Sequence, residues 1–118
     1  MKSAVNLETR SVSDITFQPA SLDIWSTKYR LCAKDGTAID DTYRRVARAL
    51  ADVEQESLRE ECYESFLWAL RSGAIPAGRI ISNAGAQQHK PATSTINCTV
   101  SGTVADSMDN ILNKVHEA

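Results

Sequence analysis

The sequence lacks any long apolar run: nothing in its 118 residues approaches the roughly 20 apolar residues of a membrane-spanning helix. Met1 to Gln18 also lacks the apolar segment of a secretory signal peptide. The chain is therefore expected in the cytoplasm, with no membrane partner. Cysteine is scarce. Cys32, Cys62 and Cys98 stand far apart, with no C-x-x-C and no His/Cys cluster. That spacing is wrong for structural zinc, so no metal is expected. An odd number of thiols in a cytosolic chain argues against a disulfide framework. In that setting the glycosylation-like pattern Asn97-Cys98-Thr99 carries no weight. Neither sign of charge dominates: a net charge of −2 gives no general attraction for nucleic acid. His89 and His116 have no partner constellation and read as surface residues. There is no internal repeat and no low-complexity segment.

What is present is ordinary for a soluble globular chain, with 42% apolar and 24% charged residues. The length suits one small domain or a piece of a larger one. It supports a modest core, not an enzyme-sized barrel.

Residues 1–20 are polar and aperiodic, a flexible tail. Residues 21–75 read as a helical region. Pro19-Ala20-Ser21 marks a helix start with Ser21 as N-cap, and Leu22, Trp25 and Tyr29 then share a face. Asp35-Gly36 is a turn signal. A second helix begins near Asp41, its apolar stripe being Tyr43, Val46, Ala47, Leu50 and Ala51, with Arg44, Arg45 and Arg48 on the other side. A third begins at Ser57, where Ser57 and Glu60 form a capping-box pattern. It buries Leu58, Cys62, Phe66, Ala69 and Leu70 and stops at Gly73. The short link makes these two helices antiparallel neighbours. Cys32 and Cys62 are expected to be packing residues.

The character changes over residues 76–118. Ile75 to Gly85 is rich in turn formers and small residues, and Gln87 to Pro91 is a polar loop. Thr93 to Val100 alternates strictly, with Ile96, Cys98 and Val100 on one side and Thr95, Asn97 and Thr99 on the other, which predicts a strand. A last helix opens at Asp106 and buries Met108, Ile111, Leu112 and Val115. A lone strand leaves its backbone donors and acceptors unpaired, so its partners are expected on another chain or in a continuation of this one.

Three blocks carry a resemblance. The first is Ile24-Trp25 with Lys28-Tyr29-Arg30, then Arg45-Val46-Ala47 and Ala49-Leu50-Ala51. The second is Pro76-Ala77-Gly78-Arg79-Ile80 with Asn83-Ala84-Gly85. The third is Ile96-Asn97-Cys98-Thr99-Val100, then Asp106-Ser107-Met108 and Ile111. In this order they resemble the start of adenosylcobalamin-dependent ribonucleoside-diphosphate reductases, over about residues 21–118. The Cys and Asp-Ser elements occur less closely in the iron-dependent class. The resemblance implies a mostly α fold: a helical N-terminal region, then the first strand and helix of a ten-stranded α/β barrel.

It also implies roles. From its neighbours alone Cys98 reads as a small buried hydrophobe. The resemblance makes it one of two thiols that reduce the ribose and end as a disulfide. Ser82, Asn83, Ala84 and Gly85, with Asn97, would hold the substrate, small residues and free N–H groups suiting its diphosphate. The other reading of Pro76–Gly85 is a plain connection. Ala86 stands where many relatives carry Thr, which takes away a hydroxyl contact, and Arg79 either touches phosphate or pairs with an acid on the barrel wall. Asp106, Ser107 and Met108 resemble the start of a dNTP effector site; alone, Asp106 reads as an N-cap. The remaining radical, acid–base and adenosylcobalamin-binding groups would come from the rest of the barrel. The partners implied are that remainder, a ribonucleotide, a dNTP, a thiol reductant and, as a further candidate, a second copy. Two competing readings are a non-catalytic interaction or nucleotide-binding module and a DNA-binding helical hairpin using Arg44, Arg45 and Arg48.

Overall fold

The computed structural model describes residues 15–117. The tail expected over residues 1–20 lies, for residues 1–14, outside the described residues. Pro19 takes the first helical position, where its fixed φ helps and its missing N–H costs nothing. Helix α1 is Pro19–Ile24, and Gln18, not Ser21, is its N-cap. The Gln18 carbonyl accepts from the N–H groups of Ser21 and Leu22 at 3.0 and 3.2 Å. The chain then winds wider, into a π turn over Trp25–Tyr29 closed by the Arg30 N–H on the Trp25 carbonyl.

Helix α2 is Ile39–Ala51. It starts two residues before the expected Asp41 because that carboxylate reaches back to accept from the Ala38 N–H at 3.1 Å. Helix α3 is Arg59–Arg71, entered through a 3₁₀ turn at Glu56–Leu58. The Ser57–Glu60 capping box does not form; Glu60 instead takes Arg48 at 2.8 Å. Gly73 ends α3 as expected: its φ is 101°, its N–H bonds to Leu70, and the Ala74 N–H bonds to Ala69. That pair of bonds is a Schellman stop, which needs a left-handed residue.

Helices α2 and α3 pack antiparallel. Asp40 at the start of α2 holds Arg71 at the end of α3, and Arg48 near the end of α2 holds Glu60 at the start of α3. Between them lie buried Val46, Ala47, Leu67 and Leu70, joined by Ala84 from beyond α3. Tyr43, Leu50 and Phe66 flank this core. The α2 stripe is the expected one. On α3, Leu67 is buried while Leu58 is 43% exposed, because the 3₁₀ turn alters the register before the helix begins. Cys62 is half-buried, but Cys32 is exposed rather than packed.

The turn-rich segment Ile75 to Gly85 contains a short helix, α4, Gly78–Asn83, started by the Ala77 carbonyl accepting from Ile80 and Ile81. It rests on α2 and on the π turn. Beyond it the strand expected over Thr93 to Val100 is not shown. Among the described residues no strand forms, and residues 93–101 are exposed, Val100 fully. Strand geometry is stabilised by pairing, and no neighbouring segment offers it. Helix α5, Met108–Glu117, does form, yet Met108, Ile111, Leu112 and Val115 face solvent rather than a core. No helix among the described residues is long and apolar enough to cross a membrane.

Candidate functional site

The most highly organised polar cluster begins at the turn residue Asp35. Its side chain is fully buried and accepts from four groups: the Leu31 N–H at 3.0 Å, Thr42 Oγ1 at 2.7 Å, Arg45 Nε at 2.8 Å and an Arg45 terminal nitrogen at 3.1 Å. Burial alone would raise the Asp35 pKa. The hydrogen bonds from Arg45, Leu31 and Thr42, with the Arg45 charge, outweigh it and hold the carboxyl below its ordinary value. Thr42 in turn accepts from the Trp25 indole N–H at 2.8 Å. Arg45, expected on the solvated side of α2, is 7% exposed.

The remaining Arg45 donors reach three backbone carbonyls: Ala84 at 2.6 Å, Ile81 at 2.8 Å and Tyr29 at 3.2 Å. One guanidinium thus ties the π turn, α2 and the end of α4 together. The face of α2 opposite α3 is accordingly polar and buried, not polar and wet.

The candidate substrate residues lie at this tie. Ala84 is buried. Gly85 has φ +74°, and a Cβ there would stand 3.2 Å from Arg45 Cγ, so glycine is required by conformation and by closeness. Its carbonyl accepts from Lys34 Nζ at 3.4 Å. Ser82 Oγ donates to the Lys28 carbonyl at 3.3 Å, and Asn83 Nδ2 to the Ser94 carbonyl at 2.8 Å. Both side chains are committed to neighbouring backbone. Arg79 donates to the Ile96 carbonyl at 3.2 Å, a third role beside the two expected of it. Through Asn83 and Arg79 the structure brings α4 next to the chain leading to Asn97 and Cys98.

Cys98 carries a free, exposed thiol, and Asn97 is exposed beside it. The inward apolar face expected for Ile96, Cys98 and Val100 is absent for want of a paired strand. The effector candidates stand apart: among the described residues no hydrogen bond joins Asp106, Ser107 or Met108 to α4 or to the Cys98 segment. Ser107, not Asp106, caps α5, its Oγ accepting from the Asn110 N–H at 3.3 Å. All three are exposed. His89 and His116 are also exposed.

A cleft of about 400 Å³ between Lys34, Arg44, Arg48, Tyr63 and Gly85 adjoins the tie at Arg45. Its arginines are engaged. Arg44 holds Asp40 at 2.8 Å, and Arg48 holds Glu60 while lying 3.9 Å over the Tyr63 ring. With Arg45 on Asp35, all three arginines offered for DNA already have carboxylates. Sequence reasoning missed Lys34, Asp35, Thr42 and Arg45. The available signal was Thr42 and Arg45 one turn apart on α2, with an acidic turn residue shortly before.

Comparison with known proteins gives a match to the family model described as "Ribonucleotide reductase, all-alpha domain", over residues 15–89. No curated protein and no solved structure matches the chain. The matched span holds α1 to α4, the Asp35–Arg45 tie and the Ser82–Gly85 segment. The chain therefore belongs to the ribonucleotide reductases, the oxidoreductases of deoxyribonucleotide synthesis, through their all-alpha domain.

Proposed function

We propose that this chain is the N-terminal part of the catalytic subunit of an adenosylcobalamin-dependent ribonucleoside-diphosphate reductase. The observation that carries the reading is the family match over α1–α4, followed at once by the Ile96–Val100 and Asp106–Met108 motifs. Residues 76–118 lead into the reductase barrel, the first of them, to residue 89, lying within the all-alpha match. Cys98 supplies one reducing thiol. Ser82 to Gly85 and Asn97 contribute to holding the ribonucleotide, and Asp106, Ser107 and Met108 to holding a dNTP effector. The remainder of the barrel supplies adenosylcobalamin contacts, the radical thiol and the second reducing thiol. The exposed Cys98 and the outward apolar side chains of α5 suit a segment completed by other parts of the enzyme. The expected setting is the cytoplasm, with a thiol reductant.

The chemistry assigns Cys98 a definite task. A substrate radical at C3′ loses its 2′-hydroxyl as water, and a pair of thiols supplies two electrons while becoming a disulfide. The test joins the chain to a complementary barrel fragment, with adenosylcobalamin and a dithiol. The chain alone should give no deoxyribonucleotide, the pair should give multiple turnover, and Cys98→Ser in the pair should abolish it. Normal multiple turnover by that variant would remove Cys98 from the chemistry.

A further inference from the structure

In a continuing α-helix the Ile81 carbonyl would accept from the N–H of Gly85, four residues on. Arg45 takes that carbonyl at 2.8 Å, and takes the Ala84 carbonyl at 2.6 Å. The flanking amides are satisfied: the Ala84 N–H bonds to Ile80 and the Ala86 N–H to Asn83. Among the described residues the Gly85 N–H has no acceptor. A planar trans peptide points an N–H opposite to the carbonyl of its own unit. The Gly85 N–H therefore points away from the guanidinium that holds the Ala84 carbonyl.

This makes Arg45 more than a packing residue. A single N–H left open beside small side chains is a donor suited to an anion. We infer that Arg45, locked by Asp35, is the positioning residue of the Ile81–Gly85 segment: it turns two carbonyls inward and leaves the Gly85 N–H open to a substrate phosphate. The inference rests on the reading of that segment as a substrate contact. Lysine cannot replace arginine here. It has three donors on one nitrogen, whereas Arg45 reaches a carboxylate and three carbonyls from three nitrogens.

The test uses the full chain, labelled for amide NMR and titrated with inorganic pyrophosphate. In the wild type the Gly85 amide should shift on titration. In Arg45→Lys the affinity should fall roughly tenfold or more, as expected for losing a charged-group hydrogen bond. Exchange of the Gly85 amide should become slower in this variant, because the vacated Ile81 carbonyl can accept it. General loosening would speed it instead. Trp68→Ala, on the exposed side of α3, should match the wild type in both readouts. If wild-type Gly85 ignores pyrophosphate, the substrate reading of the segment fails, and exchange alone judges the positioning: slower exchange in Arg45→Lys upholds it. Unchanged or faster Gly85 exchange in Arg45→Lys overturns the inference. Should Arg45→Lys fail to fold, Asp35→Asn is read the same way. It keeps Arg45 but weakens its anchor, so smaller changes of the same sign are expected, and no change overturns the inference.

Discussion

Replacing Asp35 by alanine removes, among the described residues, the only carboxylate bound to a guanidinium whose side chain is 3% exposed. The stranded charge cannot reach water without opening the contact between α2 and α4. Breaking a buried pair from one side typically costs about 3–5 kcal/mol. Arg45 would keep its three carbonyl contacts, which offset part of the charge, so the lower end, about 3 kcal/mol, applies. Against a typical domain stability of about 5–15 kcal/mol this is a large share. The Tm should fall by more than about 10 °C. Urea unfolding followed by far-UV circular dichroism measures the loss. Trp25 fluorescence gives a local readout, since its indole bonds to Thr42 and Thr42 to Asp35.

The pH dependence has a definite sign. The folded carboxyl titrates below its ordinary value. Its stabilisation is therefore fully present above the unfolded pKa, about 3.9, and is lost as pH falls through the lower folded pKa. Wild type and Asp35→Ala should differ most near neutrality and converge below about pH 4. A difference under about 1 kcal/mol at neutral pH, no more than an exposed pair gives, would refute the argument.

Leu67→Ala should cost about 2–5 kcal/mol in the same melts, while Trp68→Ala, one residue on but exposed, should stay within about 0.5 kcal/mol. Gly73→Ala places a side chain on a left-handed residue and should cost about 1–2 kcal/mol, with fraying of the last turn of α3 visible by amide exchange. In the reconstituted enzyme Asp106→Ala should blunt dNTP-dependent choice of substrate more than basal turnover; a full response to effectors would leave Asp106 no role in effector binding. Ser107→Ala should in addition lower α5 helicity through loss of a cap worth about 1 kcal/mol.

Local order was legible wherever one residue's own chemistry decides it. The Val46, Ala47 and Ala51 stripe repeats at helical spacing, and any helix that buries it must turn that face inward. Gly73 could be read as a stop because a left-handed residue is needed there whatever surrounds it. The thiol, the small-residue segment and the Asp-Ser pair were likewise visible as motifs.

Tertiary structure alone decided which polar residues are buried. Arg44, Arg45 and Arg48 look alike in periodicity, yet only Arg45 meets Asp35, Tyr29, Ile81 and Ala84, which the chain delivers from three separate segments. Residues 93–101 show the converse. Alternation specifies which side of a strand would be apolar, but a strand exists only when another backbone accepts its hydrogen bonds. The α5 stripe obeys the same limit: the sequence marks an apolar face, and what covers it depends on a surface beyond the helix. A pattern of residues determines what a segment can bury; contact with distant parts of the chain determines whether it does.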